Sequence, residues 1–144
     1  MSAQQESKGS IQVIERMMSL LDALSENSEP ATLKVLAQRT GLHPSTAHRI
    51  LGVMCHTRLV RRHGNGAYTL GMRLLELGSI VKSRIEIGAI ARPFMQALHK
   101  EIGEVINLAI RDRDEVVYVE RTSGGQSLVR VVYLVGSRAP LHLT

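Results

Sequence analysis

The first half of the chain spaces its apolar residues three and four positions apart, as amphipathic helices do. This pattern predicts three consecutive helices, over residues 11–27, 33–40 and from 44 to about 58. Ser10 and Thr32 are suitable N-caps for the first two helices, and Pro44 suits the first turn of the third. Gly41 can adopt the left-handed conformation that ends the second helix. A tight turn is therefore expected between the second and third helices.

Strand-like residues follow the third helix in two short runs, 59–63 and 67–70. The glycine-rich turn Gly64-Asn65-Gly66 lies between them, and this arrangement predicts a β-hairpin. Three helices followed by a hairpin make a winged helix-turn-helix, in which the hairpin is the wing.

The chain is predicted to become helical again over residues 72–86 and 89–101. Gly78 and Gly88 interrupt this region, and Pro93 is expected to bend or restart the helix. The apolar residues here exceed what one buried stripe requires. We expect a second surface, most simply that of a dimer partner, to cover the excess.

Beyond Gly103 the sequence is rich in β-branched residues, which favour strands. Three strands are predicted, over residues 105–110, 116–120 and 128–135, and a loop is expected over 136–140. Helices followed by a separate run of strands place the fold in the α+β class.

A helical wheel of the third helix separates two faces. One face gathers the apolar residues Ala47, Ile50, Leu51 and Met54. The other gathers Ser45, Arg49, Gly52 and His56, with Thr46 and His48 at its flanks. The second helix of a DNA-binding helix-turn-helix packs with one face and offers the other to base edges in the major groove. The third helix is therefore the predicted recognition helix.

The distribution of charge supports a nucleic-acid partner. The net charge is +5, and no Asp or Glu occurs between Pro30 and Leu75. That segment contains Lys34, Arg39, Arg49, Arg58, Arg61, Arg62 and Arg73. A cationic segment without carboxylates attracts phosphate, although a solvated basic face is the alternative. Aromatic residues make up only 3% of the chain, which argues against binding by base stacking and leaves double-stranded DNA as the expected partner.

Contact roles follow from the chemistry of the side chains. Arg49 is the candidate for a bidentate contact with guanine, the alternatives being a phosphate contact or solvent exposure. Ser45 and Thr46 lie in the first turn, where hydroxyls and free backbone N–H groups can meet phosphate or base edges; plain capping is the alternative. His48 is expected to contact a base or to fill the rim of the interface. Thr32, at a helix start, is a further candidate for a phosphate contact.

The predicted wing supplies a second group of contacts, which lie along the DNA backbone or in the minor groove and set affinity rather than sequence preference. These residues are Arg61, Arg62, His63 and Asn65. Tyr68, in contrast, is expected to pack in the core or in the wing rather than to contact DNA.

Other classes of protein fit the sequence less well. No apolar run is long enough to span a bilayer, no signal peptide begins the chain, and the single Cys55 suits a reducing cytoplasm. No catalytic motif or cofactor site is present, so an enzyme is not expected. Two alternatives stay open, a metal-sensing winged-helix repressor that uses His48, Cys55 and His56, and a winged helix that binds other proteins. The histidine spacing argues against metal, because no pair has the four-residue step of one helical face.

The sequence resembles the IclR-type bacterial transcriptional regulators from about Ile11 to its last residue. The resemblance rests on short motifs in a shared order: Leu36-Ala37, Gly41-Leu42, Ser45-Thr46 with Arg49, Tyr68-Thr69-Leu70-Gly71, Leu77-Gly78, Ala91-Arg92-Pro93, Gly103-Glu104, Asn107-Leu108-Ala109, and Gly136-Ser137-Arg138 with Pro140-Leu141-His142. It implies a regulator that binds a pseudo-palindromic operator as a dimer or dimer of dimers and answers to a small effector, often an organic acid.

The resemblance also implies an organisation for the chain. Residues 1–10 are expected to form a flexible tail, 11–71 a winged helix-turn-helix DNA-binding domain, 72–90 a linker helix, and 91–144 the start of an α/β effector-binding domain. Because most of that domain follows Pro140-Leu141-His142 in the family, the sensor domain is expected to be incomplete here. No effector-binding residue is carried over.

Overall fold

The computed structural model describes residues 3–26, 29–122 and 134–143 and divides the chain into two units, Met1–Gly78 and Ser79–Thr144. The elements of the first unit are α1 (Ala3–Ser25), α2 (Leu33–Thr40), α3 (Pro44–His56), β1 (Val60–Arg62), β2 (Tyr68–Leu70) and most of α4 (Met72–Ser83). The second unit contains α5 (Glu86–Ile102), β3 (Asn107–Asp112), β4 (Glu115–Arg121), β5 (Arg138–Pro140) and a short 3-10 helix (Leu141–Leu143). None of the described helices combines the length and the apolarity needed to cross a bilayer.

The core of the first unit lies where α1, α2 and α3 meet. Its fully buried side chains include Leu20 of α1, Leu36 of α2 and both Leu51 and Met54 of α3. The apolar residues predicted for α2 and α3 thus face this core, as do Leu20 and Leu24 of α1. The earlier part of the α1 stripe does not, since Val13, Ile14 and Met18 are between 41% and 57% exposed. Burial of this kind supplies most of the free energy that holds a short helix in place, because an isolated eight-residue helix is unstable in water.

The wing is anchored to the helices at both of its strands. β1 and β2 pair antiparallel, with Arg62 opposite Tyr68, and Ala31 forms an isolated bridge to Tyr68 on the other side. The two backbone hydrogen bonds of this bridge are 2.9 and 2.8 Å long. Tyr68 is only 2% exposed, so its predicted packing role is confirmed. The winged helix-turn-helix predicted from the sequence is therefore present.

The second unit packs one helix against a small sheet. β4 is the central strand of the order β3-β4-β5, and both neighbours pair with it antiparallel. Met95 is the most deeply buried large side chain of α5, and Val116 and Tyr118 are buried on β4. The α+β class predicted from the sequence is confirmed.

Two predicted boundaries are wrong. α1 begins at Ala3, so the expected flexible tail over residues 1–10 is helical from that point and Ser10 lies inside the helix rather than at its N-cap. The reason is that residues such as Ala3 and Gln4 favour helix, and a polar first turn gives no apolar period to detect. The predicted linker helix over 72–90 ends at Ser83, because the chain turns at Arg84 and α5 starts at Glu86.

The predictions for the end of the chain also need correction. Pro93 does not restart the helix, because α5 continues through it to Ile102. The loop expected over 136–140 forms β5 from Arg138 onward, because these residues complete the sheet against β4. The strand expected over 128–135 lies mostly outside the described residues, and its last two positions, 134 and 135, are not in a strand.

Candidate nucleic-acid interface

The recognition helix α3 has one buried and one exposed face. The four residues of its predicted apolar stripe are between 0% and 5% exposed, whereas the opposite face lies open to solvent. The buried residues are Ala47, Ile50, Leu51 and Met54. The exposed ones are Ser45, His48, Arg49, Gly52 and His56, while Thr46 is half-buried. The two faces that the helical wheel predicts for α3 are thus found in the structure. The predicted contact face is exposed, apart from the half-buried Thr46.

The N-terminus of α3 is capped by a residue that the sequence reasoning did not select. His43 has the extended backbone of an N-cap, and its carbonyl accepts hydrogen bonds from the N–H groups of Thr46 and Ala47 at 2.9 and 3.0 Å. The imidazole Nδ1 accepts from the Ser45 N–H at 3.4 Å and lies 2.8 Å from the Ser45 hydroxyl oxygen. The signal in the sequence was Pro44 at the first helical position, since the residue before it is then the N-cap.

This capping corrects one expectation. The first turn of α3 was predicted to offer free backbone N–H groups to phosphate, but each of them has an acceptor. Pro44 has no N–H, that of Ser45 faces Nδ1 of His43, and that of Thr46 is bonded to the His43 carbonyl. Any contact between this end of the helix and DNA must therefore be made by side chains.

Thr32 occupies the N-cap of α2, and its hydroxyl oxygen accepts a hydrogen bond from the Val35 N–H at 3.4 Å. The side chain is exposed, so the hydroxyl hydrogen can still be donated to a phosphate oxygen. Capping and phosphate contact are thus compatible at this position.

The four predicted wing residues divide into two kinds. His63 and Asn65 hold the turn, because the His63 ring bonds the Thr69 hydroxyl at 3.0 Å and Asn65 Oδ1 accepts from the Ala67 N–H at 3.1 Å. Arg61 and Arg62 are exposed on β1. The Arg62 guanidinium lies 5.8 Å from the centre of the Tyr68 ring, a cation–π contact that limits its rotation. Of the four predicted wing residues, the two arginines are therefore those whose positive charge is available to attract phosphate.

The acid-free segment is less cationic in three dimensions than in sequence. Glu26 pairs with Arg39 at 3.6 Å, and Glu76 pairs with Arg58 at 3.7 Å and with Arg73 at 2.7 Å. The hydrogen bond from Arg73, together with the positive charge of Arg58, holds the pKa of the Glu76 carboxyl below its usual range. These two carboxylates come from just outside the segment and pair with three of its arginines.

The cations on the predicted contact surface keep their charge. Within residues 3–26, 29–122 and 134–143, none of Arg49, Arg61 and Arg62 forms an ion pair with a carboxylate. An exposed arginine without an acidic neighbour attracts a polyanion at no cost of breaking an existing pair. Among the described residues, the arginines of the acid-free segment that remain unpaired thus lie on α3 and β1.

Cys55 and the histidines near it do not form a metal site among the described residues. In the part of the chain that the structure describes, no three His, Cys, Asp or Glu side chains are grouped as metal ligands. Cys55 is half-buried, and burial raises the pKa of its thiol although the charge and backbone of Arg62 act to lower it. A protonated, half-buried thiol is a poor nucleophile.

In the second unit, Glu120 of β4 joins two helices. Its carboxylate is 12% exposed and lies 2.6 Å from Nη2 of Arg92 on α5 and 3.5 Å from Nζ of Lys82, in the last turn of α4. Burial acts to raise the pKa of Glu120, but hydrogen bonds from Arg92 and the Arg121 backbone and the charge of Lys82 bring it below the usual range. The carboxylate is thus held ionised between the helices.

Comparison with known proteins identifies both units. The model of the IclR helix-turn-helix domain matches residues 13–64, and that of the bacterial transcriptional regulator IclR C-terminal domain matches residues 80–144. The HTH-type transcriptional regulator KipR of Bacillus subtilis is 35% identical over 88% of this chain, and the transcriptional repressor IclR of Escherichia coli is 30% identical over 93%. The chain spans about half the length of these relatives, 50% in each case.

Solved structures agree with this assignment. The IclR of Thermotoga maritima superposes with a TM-score of 0.75 at 26% identity and covers 93% of this chain and 54% of its own. An IclR homolog from Microbacterium hydrocarbonoxydans, solved with 4-hydroxybenzoate, also has a TM-score of 0.75, at 28% identity over 90% of this chain and 54% of its own. Two family models that together cover most of the sequence, supported by fold and by relatives, show that the chain belongs to the IclR family of DNA-binding transcriptional regulators.

Proposed function

We propose that the chain binds duplex DNA by placing α3 in the major groove and the β1–β2 wing along the adjacent backbone or minor groove. The observation that carries this proposal is the exposed guanidinium of Arg49, on the face of α3 opposite the buried stripe and without a carboxylate partner among the described residues. In this arrangement Arg49 reads a guanine, with Ser45, Thr46 and His48 beside it. Thr32, Arg61 and Arg62 hold the phosphates, and His63 and Asn65 shape the wing.

A direct test compares one predicted base contact with one predicted phosphate contact. The operator is selected from random duplexes with the unmodified chain, and binding is followed by fluorescence anisotropy at several salt concentrations. Arg49→Ala is expected to cost about 1–3 kcal/mol and to relax the preference at one operator position. Arg62→Ala serves as the matched arginine variant, and we expect weaker binding to all sequences and a salt slope reduced by about 1.

The same titrations separate DNA binding from the alternative of a protein-interaction module. Phosphate contacts release counterions, so the affinity of a DNA-binding chain must fall steeply as salt is raised. Equal affinity of both arginine variants and the unmodified chain, at every salt concentration, would contradict the proposed docking.

We also infer that the chain acts as a homodimer, alone or within a dimer of dimers. The outer face of α5 supports this, because it carries a stripe of apolar side chains that are between 44% and 73% exposed. The stripe consists of Ile87, Ile90, Phe94, Leu98 and Ile102. Gly88 and Met95 are the buried residues of the same helix, and neither belongs to the stripe. A continuous exposed stripe of this kind is typical of an interface, and a two-fold dimer suits a pseudo-palindromic operator.

Phe94→Glu is expected to raise the dimer dissociation constant at least tenfold, since it places a charge in the centre of the stripe, where burial would leave it unpaired. Gln96→Glu is the matched control, because Gln96 is exposed on a different side of α5. Sedimentation equilibrium provides the measurement. A wild-type chain that sediments as a 15.9 kDa monomer throughout the micromolar range would refute the inferred dimer.

The regulatory signal that we propose is a small organic acid, acting on genes of small-molecule metabolism. Support comes from the match of the second unit to the IclR C-terminal model and from the 4-hydroxybenzoate with which the Microbacterium hydrocarbonoxydans homolog is complexed. The measurement is the change of operator affinity on adding a panel of aliphatic and aromatic carboxylic acids.

A further inference from the structure

We propose that His43 determines which bases Ser45 can read, by accepting the hydrogen of the Ser45 hydroxyl and leaving its oxygen as an acceptor only. The inference rests on the proposed docking of α3 in the major groove. It concerns a residue outside the expected contact set, and of the two partners expected for Ser45, phosphate or a base edge, it selects a base amino group.

The argument begins with the donors of the first turn of α3. The N–H groups of Thr46 and Ala47 are bonded to the His43 carbonyl, and Pro44 has none. Among the residues that the structure describes, the acceptor for the N–H of Ser45 is Nδ1 of His43, at 3.4 Å. An N–H at this position of a helix is satisfied by the side chain of the N-cap. His43 can take that role only with a lone pair on Nδ1, so its proton belongs on Nε2.

The second step concerns the shorter contact. Nδ1 of His43 and the hydroxyl oxygen of Ser45 are 2.8 Å apart, an ordinary hydrogen-bond distance. Since Nδ1 has no hydrogen in this tautomer, the Ser45 hydroxyl must be the donor. A serine hydroxyl has one hydrogen, and once that is given to His43 the oxygen retains only its lone pairs.

The consequence for DNA follows from the chemistry of the groove. Phosphate oxygens are acceptors, so a hydroxyl without a free hydrogen cannot bond them. In the major groove the donors are the amino groups of adenine N6 and cytosine N4, whereas guanine N7 and O6 and thymine O4 only accept. Ser45 is therefore expected to favour adenine or cytosine at the base that it faces. The Nε2–H of His43, which is partly exposed, becomes the donor for the neighbouring phosphate.

The test combines base substitution with three variants. In the selected operator one position should require an amino group, and its replacement by guanine or thymine should weaken wild-type binding about tenfold, a typical cost of one mismatch. Ser45→Ala should abolish this difference. His43→Ala should abolish it too, while His43→Asn should restore it, because Asn is a good N-cap whose side-chain oxygen accepts the same hydrogens. A merely structural cap would lower affinity for all operators equally.

A measurement without DNA checks the tautomer. Long-range proton–nitrogen spectra of the free chain should place the ring hydrogen of His43 on Nε2; a hydrogen on Nδ1 would overturn the proposal. A base preference unchanged in Ser45→Ala would overturn it as well. If Arg49→Ala still weakens binding in that case, only the role of His43 and Ser45 fails. If Arg49→Ala also has no effect, the docking of α3 itself is wrong.

Discussion

Replacing Gly71 with alanine is expected to destabilise the first unit by about 3 kcal/mol, because the added methyl group has no room. An ideal Cβ at this position would overlap the carbonyl oxygen of Arg58 and would lie 2.8 Å from the carbonyl carbon of Leu59. Both neighbours are backbone atoms, which cannot rotate away as a side chain can. The clash occurs where the exit of α3 meets the start of α4.

The backbone around Gly71 is fixed by several contacts. Its N–H donates to the carbonyl of Leu59 at 2.8 Å, and the N–H of Arg73 donates to that of Arg58 at 3.3 Å. Arg58 has the left-handed φ of 63°, which is uncommon for a residue other than glycine. Relief of the clash would break these hydrogen bonds or move the end of the recognition helix.

Amide hydrogen exchange of the α3 backbone measures this effect on the first unit alone. A loss of about 3 kcal/mol corresponds to roughly hundredfold faster exchange of the most protected amides. Gly78→Ala is the matched control, since nothing lies within 4 Å of the Cβ added there and alanine is the better helix former. Unchanged protection in Gly71→Ala would show that the close approach is not present in solution.

Leu51→Ala is expected to cost about 2–5 kcal/mol of stability, the range for truncating a fully buried leucine. Leu51 is 0% exposed and belongs to the same core as Leu20, Leu36 and Met54. The cavity would lie beneath the recognition helix, so operator binding should fall with stability even though Leu51 touches no DNA.

The control on the same helix is Val53→Ala, because Val53 is 60% exposed and its truncation should change stability by no more than about 0.5 kcal/mol. Urea unfolding followed by circular dichroism gives both values. Equal midpoints for the two variants would mean that the α1–α2–α3 core is assembled differently from the structure described.

The elements with a strong apolar period were predictable. The stripe of α3 follows from spacing alone, and all of its members are buried, because a three-helix core forces one face of each helix inward. The wing was predicted from the Gly64-Asn65-Gly66 turn, which lies between two runs of strand-forming residues. The resemblance to one family drew attention to Gly71, but only the structure shows that a close backbone approach requires it.

The failures have physical causes as well. The start of α1 was missed because a polar helical turn carries no amphipathic signal. Pro93 was expected to bend or restart the helix, but α5 does not restart there, because it is held on both sides of Pro93 by packing of Gly88 and Met95 and is capped at Gly103. The missing hydrogen bond of one proline costs less than losing that packing. His43 was overlooked because imidazole is not among the preferred N-caps.

For the predicted contact face of α3, the sequence identifies the exposed residues but not which of their hydrogen-bonding groups and charges are available. Periodicity separates Ser45 and Arg49 from the buried stripe, but it cannot tell which hydrogens and charges remain available. Ion pairs made by Glu26 with Arg39 and by Glu76 with Arg58 remove arginines from the predicted basic surface, and each joins residues more than ten positions apart in the sequence. Only three-dimensional structure identifies Arg49, Arg61 and Arg62 as cations that keep their charge.

Methylation protection tests the placement of α3 most directly, because dimethyl sulfate attacks guanine N7 in the major groove. On the selected operator, the chain should protect guanines in each half-site. In complexes saturated with Arg49→Ala, one of these guanines should regain its reactivity while the others stay protected. Guanines that remain fully reactive in the saturated wild-type complex, or a protection pattern that Arg49→Ala leaves unchanged, would contradict the placement of the recognition helix.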